Sequence, residues 1–229
     1  MNTSFTSSNN KSISASPSFN DLKTLLTFSQ PLFTLRKKTT LITNGEKFKG
    51  LYLVHSGLLK QSQLKKSSEN EIITHFFFPG DLIGLDSICE AHYSGSVTSI
   101  ETSGLSLIKF SKIEDLPITK TSHIQLLRIL SRSMRNEHNR MWRTLSQSSD
   151  SRLAYFFITM SSKFREQGYS PNAFRLPMSR QDIANYLCMA SETVSRIISR
   201  FENEGLLAAN GHEYLILNPE GLANIAEKT

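Results

Sequence analysis

The octapeptide MASETVSR, residues 189–196, sets a carboxylate, a hydroxyl and a guanidinium at Glu192, Ser195 and Arg196. On a helix, positions i, i+3 and i+4 share one face, so the three groups point the same way. Each has a counterpart on a DNA base edge. An arginine donates two bonds to guanine O6 and N7, a carboxylate accepts from cytosine N4, and a serine fits several edges. Ser191 is placed to cap the helix, leaving the free N–H groups of its first turn open to a phosphate. The competing reading is a capped surface helix in which Glu192 and Arg196 form an internal salt bridge.

Another set of chemically able side chains lies upstream: His55, His75 and His92, with Asp86 and Glu90. Barrel-like folds hold metals on such residues. Here no H-x-H spacing occurs, and HFFF places His75 in an apolar run, so the histidines read as structural. Cys89 and Cys188 lie far apart and share no paired spacing. Two cysteines build neither a zinc site, a disulfide framework nor a cluster held by four thiolates, and both read as buried reduced thiols. The expectation is no metal, no cofactor and no enzymatic activity.

The elements around the octapeptide decide between its two readings. Ser179 caps a short helix, IANYLC, and MAS turns tightly into ETVSRIISRFENEG. That second helix turns Val194, Ile197, Ile198 and Phe201 inward and stops at Gly205. LLAANGHEYLILN then reads as a hairpin turning at Asn210-Gly211, followed by a short terminal helix. A helix-turn-helix with a β-hairpin is a winged helix, whose second helix enters the major groove with its N-terminal residues against base edges. Ser179, Arg180, Thr193 and Arg200 flank that face and join Ser191, Glu192, Ser195 and Arg196 as candidate DNA-binding residues.

Upstream, residues 34–110 alternate β-branched and aromatic runs with NG, SG and PG turns, the pattern of an antiparallel β-roll or barrel. A long helix follows. Ile124, Leu127, Ser131, Met134, His138, Met141 and Leu145 recur in alternating steps of three and four, the spacing of a helix–helix seam. A helix packed only on its own roll would use an apolar stripe equally well, but Ser131 and His138 are unusual core choices, so a dimer seam is expected. SQSSDSR, residues 146–152, breaks the pattern, with Ser149 or Asp150 as N-cap of the next helix. Leu153, Phe156, Phe157, Met160 and Phe164 form that helix's apolar face, and Gly168 ends it. The fold class is thus α+β. A tail rich in Ser, Asn and Thr (1–18) is expected to be disordered, followed by the roll (19–115), a dimerisation helix (116–147) and a winged helix-turn-helix (148–229).

Charge agrees with a polyanionic partner. The net charge is +6, and residues 151–200 hold seven Lys/Arg against three acids, whereas residues 201–229 hold one against five. No apolar run is long enough to span a bilayer and the N-terminus lacks the apolar core of a signal peptide, which implies a cytoplasmic protein.

The order roll, long helix and winged helix, with GDLIGLDSI and SRQDIANYLCMASETVSRIISRFENEGLL, resembles the Crp/Fnr family of bacterial transcription regulators from about Leu22 onward. The E-x-x-S-R pattern is similar to the Fnr branch, in which glutamate, serine and arginine read a TTGAT half-site in an inverted repeat. The resemblance assigns those roles to Glu192, Ser195 and Arg196. It also implies a homodimer, and a contact between the RNA polymerase sigma subunit and the hairpin loop Lys65, Lys66, Ser67, Ser68, Glu69 and Asn70, as in an activator. Near His138 that branch carries an aspartate whose charge opposes dimerisation. A neutral histidine would remove most of that repulsion, and protonation in acid would restore it.

The chain also departs from its family. The oxygen-sensing members hold an iron–sulfur cluster on cysteines, most of them near the N-terminus. Here no cysteine precedes Cys89, and Ser106 stands where the ligand of the roll is expected. The cyclic-AMP-binding members place a glutamate after the turn glycine and then an Arg-Ser pair. Here the turn is Gly84-Leu85 and the pair is Ser94-Gly95, so no arginine neutralises a buried phosphate. Two rival functions are a metal- or small-ligand-binding β-barrel without a transcriptional role, and a nucleotide-binding signalling module. The first leaves the helix-turn-helix unexplained, and the second lacks the phosphate arginine. Effector, target genes and the direction of regulation stay open at this level.

Overall fold

The computed structural model describes residues 29–64, 71–111 and 120–228. The expected tail, residues 1–18, and the loop 65–70 lie outside the described residues. Among the described residues, eight strands build the first half: β1 (Phe33–Leu35), β2 (Thr40–Ile42), β3 (Gly50–Ser56), β4 (Leu59–Leu64), β5 (Glu71–Phe77), β6 (Leu82–Ile83), β7 (Ser96–Ser99) and β8 (Ser103–Lys109). They form two antiparallel four-stranded sheets, ordered β1-β8-β3-β6 and β2-β7-β4-β5.

The two-residue period of β3 explains its continuous apolar run. Tyr52 and Val54 turn into the roll, where they meet Ile42, Leu59, Phe77 and Leu105. Leu51 and Leu53 turn outward and are covered by Ile129 of the long helix α1 (Lys120–Ser146), together with Leu82 and Ile108. Ile129 is 1% exposed, so truncating it to alanine would cost about 2–5 kcal/mol. The α1 face defined by the three–four spacing is bare: Ile124, Leu127, Ser131, Met134, His138, Met141 and Leu145 are all exposed, Met134 by 74% and Leu145 by 80%. The helix therefore carries two apolar contacts, one on its own roll and one open.

The second half contains α2 (Ser149–Glu166), β9 (Ala173–Arg175), α3 (Arg180–Tyr186), α4 (Ser191–Asn203), β10 (Leu207–Asn210), β11 (Glu213–Ile216) and α5 (Pro219–Glu227). Leu153, Phe156, Phe157 and Met160 of α2 pack with Ile183, Val194, Ile197, Ile198 and Phe201, while Phe164 is half-buried at the edge. Three local expectations are corrected. The N-cap of α2 is Ser148, not Ser149 or Asp150, and its hydroxyl accepts from the Ser151 N–H at 3.2 Å. The wing turns through Gly211-His212, with Gly211 at φ +60° as a two-residue hairpin of that kind requires, rather than through Asn210-Gly211. The wing also gains a third strand, β9, paired with β11, that the hairpin pattern did not announce.

Roll and helix-turn-helix share one core. Ile73, Phe76 and Phe78 leave the roll to join the cluster around α2, while Phe77 between them faces the roll interior. No helix among the described residues is long and apolar enough to cross a membrane.

Candidate nucleic-acid interface

The geometry of the turn between α3 and α4 aims the second helix. Ser179 and Asp182 form a reciprocal capping box at the start of α3, with Asp182 N–H donating to Ser179 Oγ at 3.0 Å and Ser179 N–H to Asp182 Oδ2 at 3.1 Å. Burial opposes the charge of Asp182, but the Ser179 hydroxyl and the Lys60 ammonium outweigh it and hold the carboxyl below its usual range. At the other end, Met189 N–H donates to Ala184 O at 2.9 Å and Cys188 N–H to Asn185 O at 3.1 Å. These two bonds close a Schellman motif, which puts Cys188 in the left-handed region at φ +54°. Helix α4 ends in the same way on Gly205, at φ +68°. Cys188 thus sits at a position that favours glycine.

The tight turn leaves Ala190, in extended conformation, as the N-cap of α4, with no side-chain capping bond. The expectation that Ser191 caps the helix is corrected: Ser191 is the first helical residue and its hydroxyl is not used as a cap. Val194, Ile197, Ile198 and Phe201 are buried in the shared core. That anchoring fixes the opposite face, where Glu192 and Arg196 are exposed and Ser195 and Thr193 are half-exposed. The side chains of Glu192, Ser195 and Arg196 take part in no hydrogen bond or ion pair among the described residues, so the alternative internal Glu192–Arg196 bridge is absent there. A row of polar groups without intramolecular partners is free to meet base edges.

The other candidate residues are placed differently. Arg200, one turn beyond Arg196, is ion-paired with Asp150 at the start of α2 and lies 3.9 Å from Glu204. The Arg180 guanidinium lies near the phenol of Tyr214 in the wing and opposes the upward push of burial on it. The Ser179 hydroxyl is committed to its capping box.

Contacts between roll and α3 hold this unit in place, and none had a local sequence signal. The Asn185 side chain donates through Nδ2 to Glu71 O at 2.6 Å and accepts from Ile73 N–H at 2.8 Å, continuing the hydrogen bonding of β5. Lys60 reaches both Glu71 (3.0 Å) and Asp182 (3.2 Å), and Lys163 of α2 pairs with Asp81 at 3.2 Å. His75 of β5 lies 2.9 Å from Glu137 of α1, which pairs with Arg140 at 2.8 Å, and Arg140 lies over the ring of Tyr186. Burial raises the Tyr186 phenol to about 12, so it stays neutral under Arg140.

In the roll, Gly84 turns at φ +94° into a short 3-10 helix, Leu85–Ser87. Beside it Asp86 accepts from Ser94 and, at 3.2 Å, from Gln61. His55 and Ser106 share a hydrogen bond of 2.8 Å. No group of three His, Cys, Asp or Glu suited to a metal occurs among the described residues. Both cysteines are exposed, contrary to the expectation of buried thiols.

Known proteins share this organisation. Residues 151–225 match the Crp-like helix-turn-helix domain, and residues 32–117 match the cyclic nucleotide-binding domain. The chain is 37% identical over 193 residues to the transcriptional activator protein FnrA of Stutzerimonas stutzeri, covering 84% of this chain and 79% of that one. It is 34% identical over 197 residues to the fumarate and nitrate reduction regulatory protein of Escherichia coli K12, covering 85% and 78%. The structure of FixK2 from Bradyrhizobium japonicum superposes with a TM-score of 0.79 at 25% identity, covering 88% of this chain and 98% of that one. With relatives this similar over most of their length, and with α4 presenting an open polar face, the chain belongs to the Crp/Fnr family and is a DNA-binding transcription regulator.

Proposed function

We propose that the protein acts as a homodimer that reads an inverted repeat of TTGAT-like half-sites, each through one copy of α4. The observation that carries this reading is the exposed row Glu192, Ser195 and Arg196, without intramolecular partners, at the N-terminal end of a helix whose other face is fixed in the core. Arg196 takes guanine through two bonds, Glu192 accepts from cytosine, and Ser195 fits an adjacent edge. Thr193 and Ser191 border the row, and Ser179 and Arg180 lie towards the backbone. Arg200 acts in this reading through its ion pair with Asp150, holding α4 against α2.

The bare stripe from Ile124 to Leu145 supports the dimer, because an apolar surface of that length on a 27-residue helix gains from burial against a second copy. In this reading the boundaries run 19–115 for the roll, 116–147 for the dimer helix and 148–229 for the winged helix. The protein works in the cytoplasm and is not an enzyme. The roll receives no cyclic nucleotide, since Asp86 presents a carboxylate next to Ser94, where a phosphate needs a cation.

The FnrA relative is named an activator, and activation here would use residues 65–70 to touch RNA polymerase. Alanine replacement of residues 65–70 lowers transcription in vitro and leaves DNA affinity unchanged; unchanged transcription removes that contact. The test of the whole reading is selection of binding sites from random DNA by the purified full-length chain. An inverted repeat of TTGAT-like halves supports it. Recovery of a single half-site, or of no consensus, contradicts it.

A further inference from the structure

Two residues, Gln147 and Ser148, separate the end of α1 at Ser146 from the start of α2 at Ser149. This joint connects the helix with the open stripe to the half that carries α4, and its own backbone does little to set their angle. Gln147 N–H donates to Arg143 O at 3.0 Å and Arg152 N–H to Ser148 O at 3.0 Å. The first bond closes α1, the second opens α2, and neither crosses from one helix to the other. A short stretch of soft dihedrals is left to be fixed by something else.

The C-terminal end of α5 spans the joint. Ala226 O accepts from the Arg143 guanidinium at 3.2 Å and from Gln147 Nε2 at 3.2 Å, both at the end of α1. Two residues further, Lys228 O accepts from Ser151 Oγ at 2.8 Å, in the first turn of α2. Arg143 also donates to Gln147 Oε1 at 2.8 Å and lies 3.4 Å over the ring of Tyr155 in α2. Helix α5 is itself held by apolar burial in the shared core, through Leu222 and Ala226. Apolar packing is non-directional, whereas a carbonyl accepts donors over a limited range of directions. Ala226 O is one of the acceptors that the end of a helix leaves free. Here it is used to fix the angle between two other helices.

We infer that Arg143, Gln147 and Ser151, held by the end of α5, are positioning residues that set which spacing of half-sites the protein accepts. The inference rests on the homodimer proposed above, in which each copy reads one half-site. Asp150, beside the joint, grips Arg200 of α4, so a swing at the joint carries α4 with it. Two-fold symmetry doubles the effect. At roughly 10 Å from the joint, a swing of about 10° in each copy changes the separation of the two α4 helices by about 3.5 Å, the rise of one base pair.

The test measures binding of the full-length chain to inverted repeats of the half-site that it selects. The selected spacer is compared with spacers one and two base pairs longer or shorter, and with a duplex carrying a single half-site. The parent chain should lose about tenfold or more per base pair of change, because DNA must deform to meet a fixed dimer. Gln147→Ala with Ser151→Ala frees the joint and keeps the Ser148 cap, which accepts from the Ser151 backbone. Its affinities should agree within about threefold across the spacers, since each α4 can then follow its half-site without deforming the DNA. Binding to the single half-site and sedimentation as a dimer should stay as in the parent chain. Gln147→Ala alone decides the matter if the double variant fails to fold, because it too must widen the range of accepted spacers. A variant as selective for spacing as the parent overturns the inference. So does an equal loss on every duplex, the single half-site included, which marks simple destabilisation. A parent chain indifferent to spacing contradicts the inverted-repeat reading itself, and this inference with it.

Discussion

The backbone N–H of Ile73 donates to Oδ1 of Asn185 across 2.8 Å, so the edge strand of the roll is hydrogen-bonded to a side chain of the helix-turn-helix. The Asn185 side chain in turn donates through Nδ2 to Glu71 O. Two bonds from one side chain fix both distance and rotation of α3 relative to β5, and α3 in turn sets the direction of α4 through the turn at Cys188.

Asn185→Ala leaves a partly buried N–H and C=O of β5 without partners and should cost about 1–3 kcal/mol of stability. Urea unfolding measures the loss. Hydrogen exchange at the Ile73 amide should accelerate more than at amides within β3. Unchanged exchange at Ile73 would show that the bridge does not hold the strand.

Glu137 supplies a pH-dependent tie between α1 and the roll. Burial works against its charge, but the hydrogen bond and charge of His75, then of Arg140, outweigh burial and bring the carboxyl down to about 2. A folded value below the ordinary one near 4.5 means stability that is complete above that pH and is lost as pH falls towards 2. The side chain is 37% exposed, and solvent screening reduces the contribution to about 1 kcal/mol. Glu137→Gln should be less stable than the parent chain by about that amount at pH 7, with the difference closing between about pH 4.5 and 2. A constant difference across that range would contradict the assignment.

The open stripe of α1 gives a test of assembly. Leu127 and Met134 are 63% and 74% exposed, so replacing them does not disturb the fold of one chain. Each is expected to contribute about 1.5–3 kcal/mol when a second copy covers it. Leu127→Glu with Met134→Glu should therefore turn a sedimenting dimer into a monomer of unchanged circular dichroism. A double variant that still sediments as the parent dimer would move the seam elsewhere.

The parts of this fold written as short periods were legible in the sequence. The face of Val194, Ile197, Ile198 and Phe201, the Ser179 cap and the alternation along β3 each depend on neighbours within about one or two turns or strand repeats. What depended on equivalent local choices shifted by a residue. Ser148, Ser149, Asp150 and Ser151 can all cap, and only the packed helix selects Ser148. Cys188 is small and apolar enough to suggest burial, but the left-handed turn exposes it. What depended on distant partners was not legible. Asn185 and Ile73 are 112 residues apart, and Lys60 and Asp182 are 122 apart.

The central claim is that Arg196 reads a base. The most direct measurement compares Arg196→Ala with the parent chain on a selected inverted repeat and on random DNA, at one fixed salt concentration. Loss of a two-bond guanine contact should weaken specific binding by about 1–3 kcal/mol per half-site and leave binding to random DNA nearly unchanged. An equal loss on both DNAs would place Arg196 on a phosphate and contradict the account.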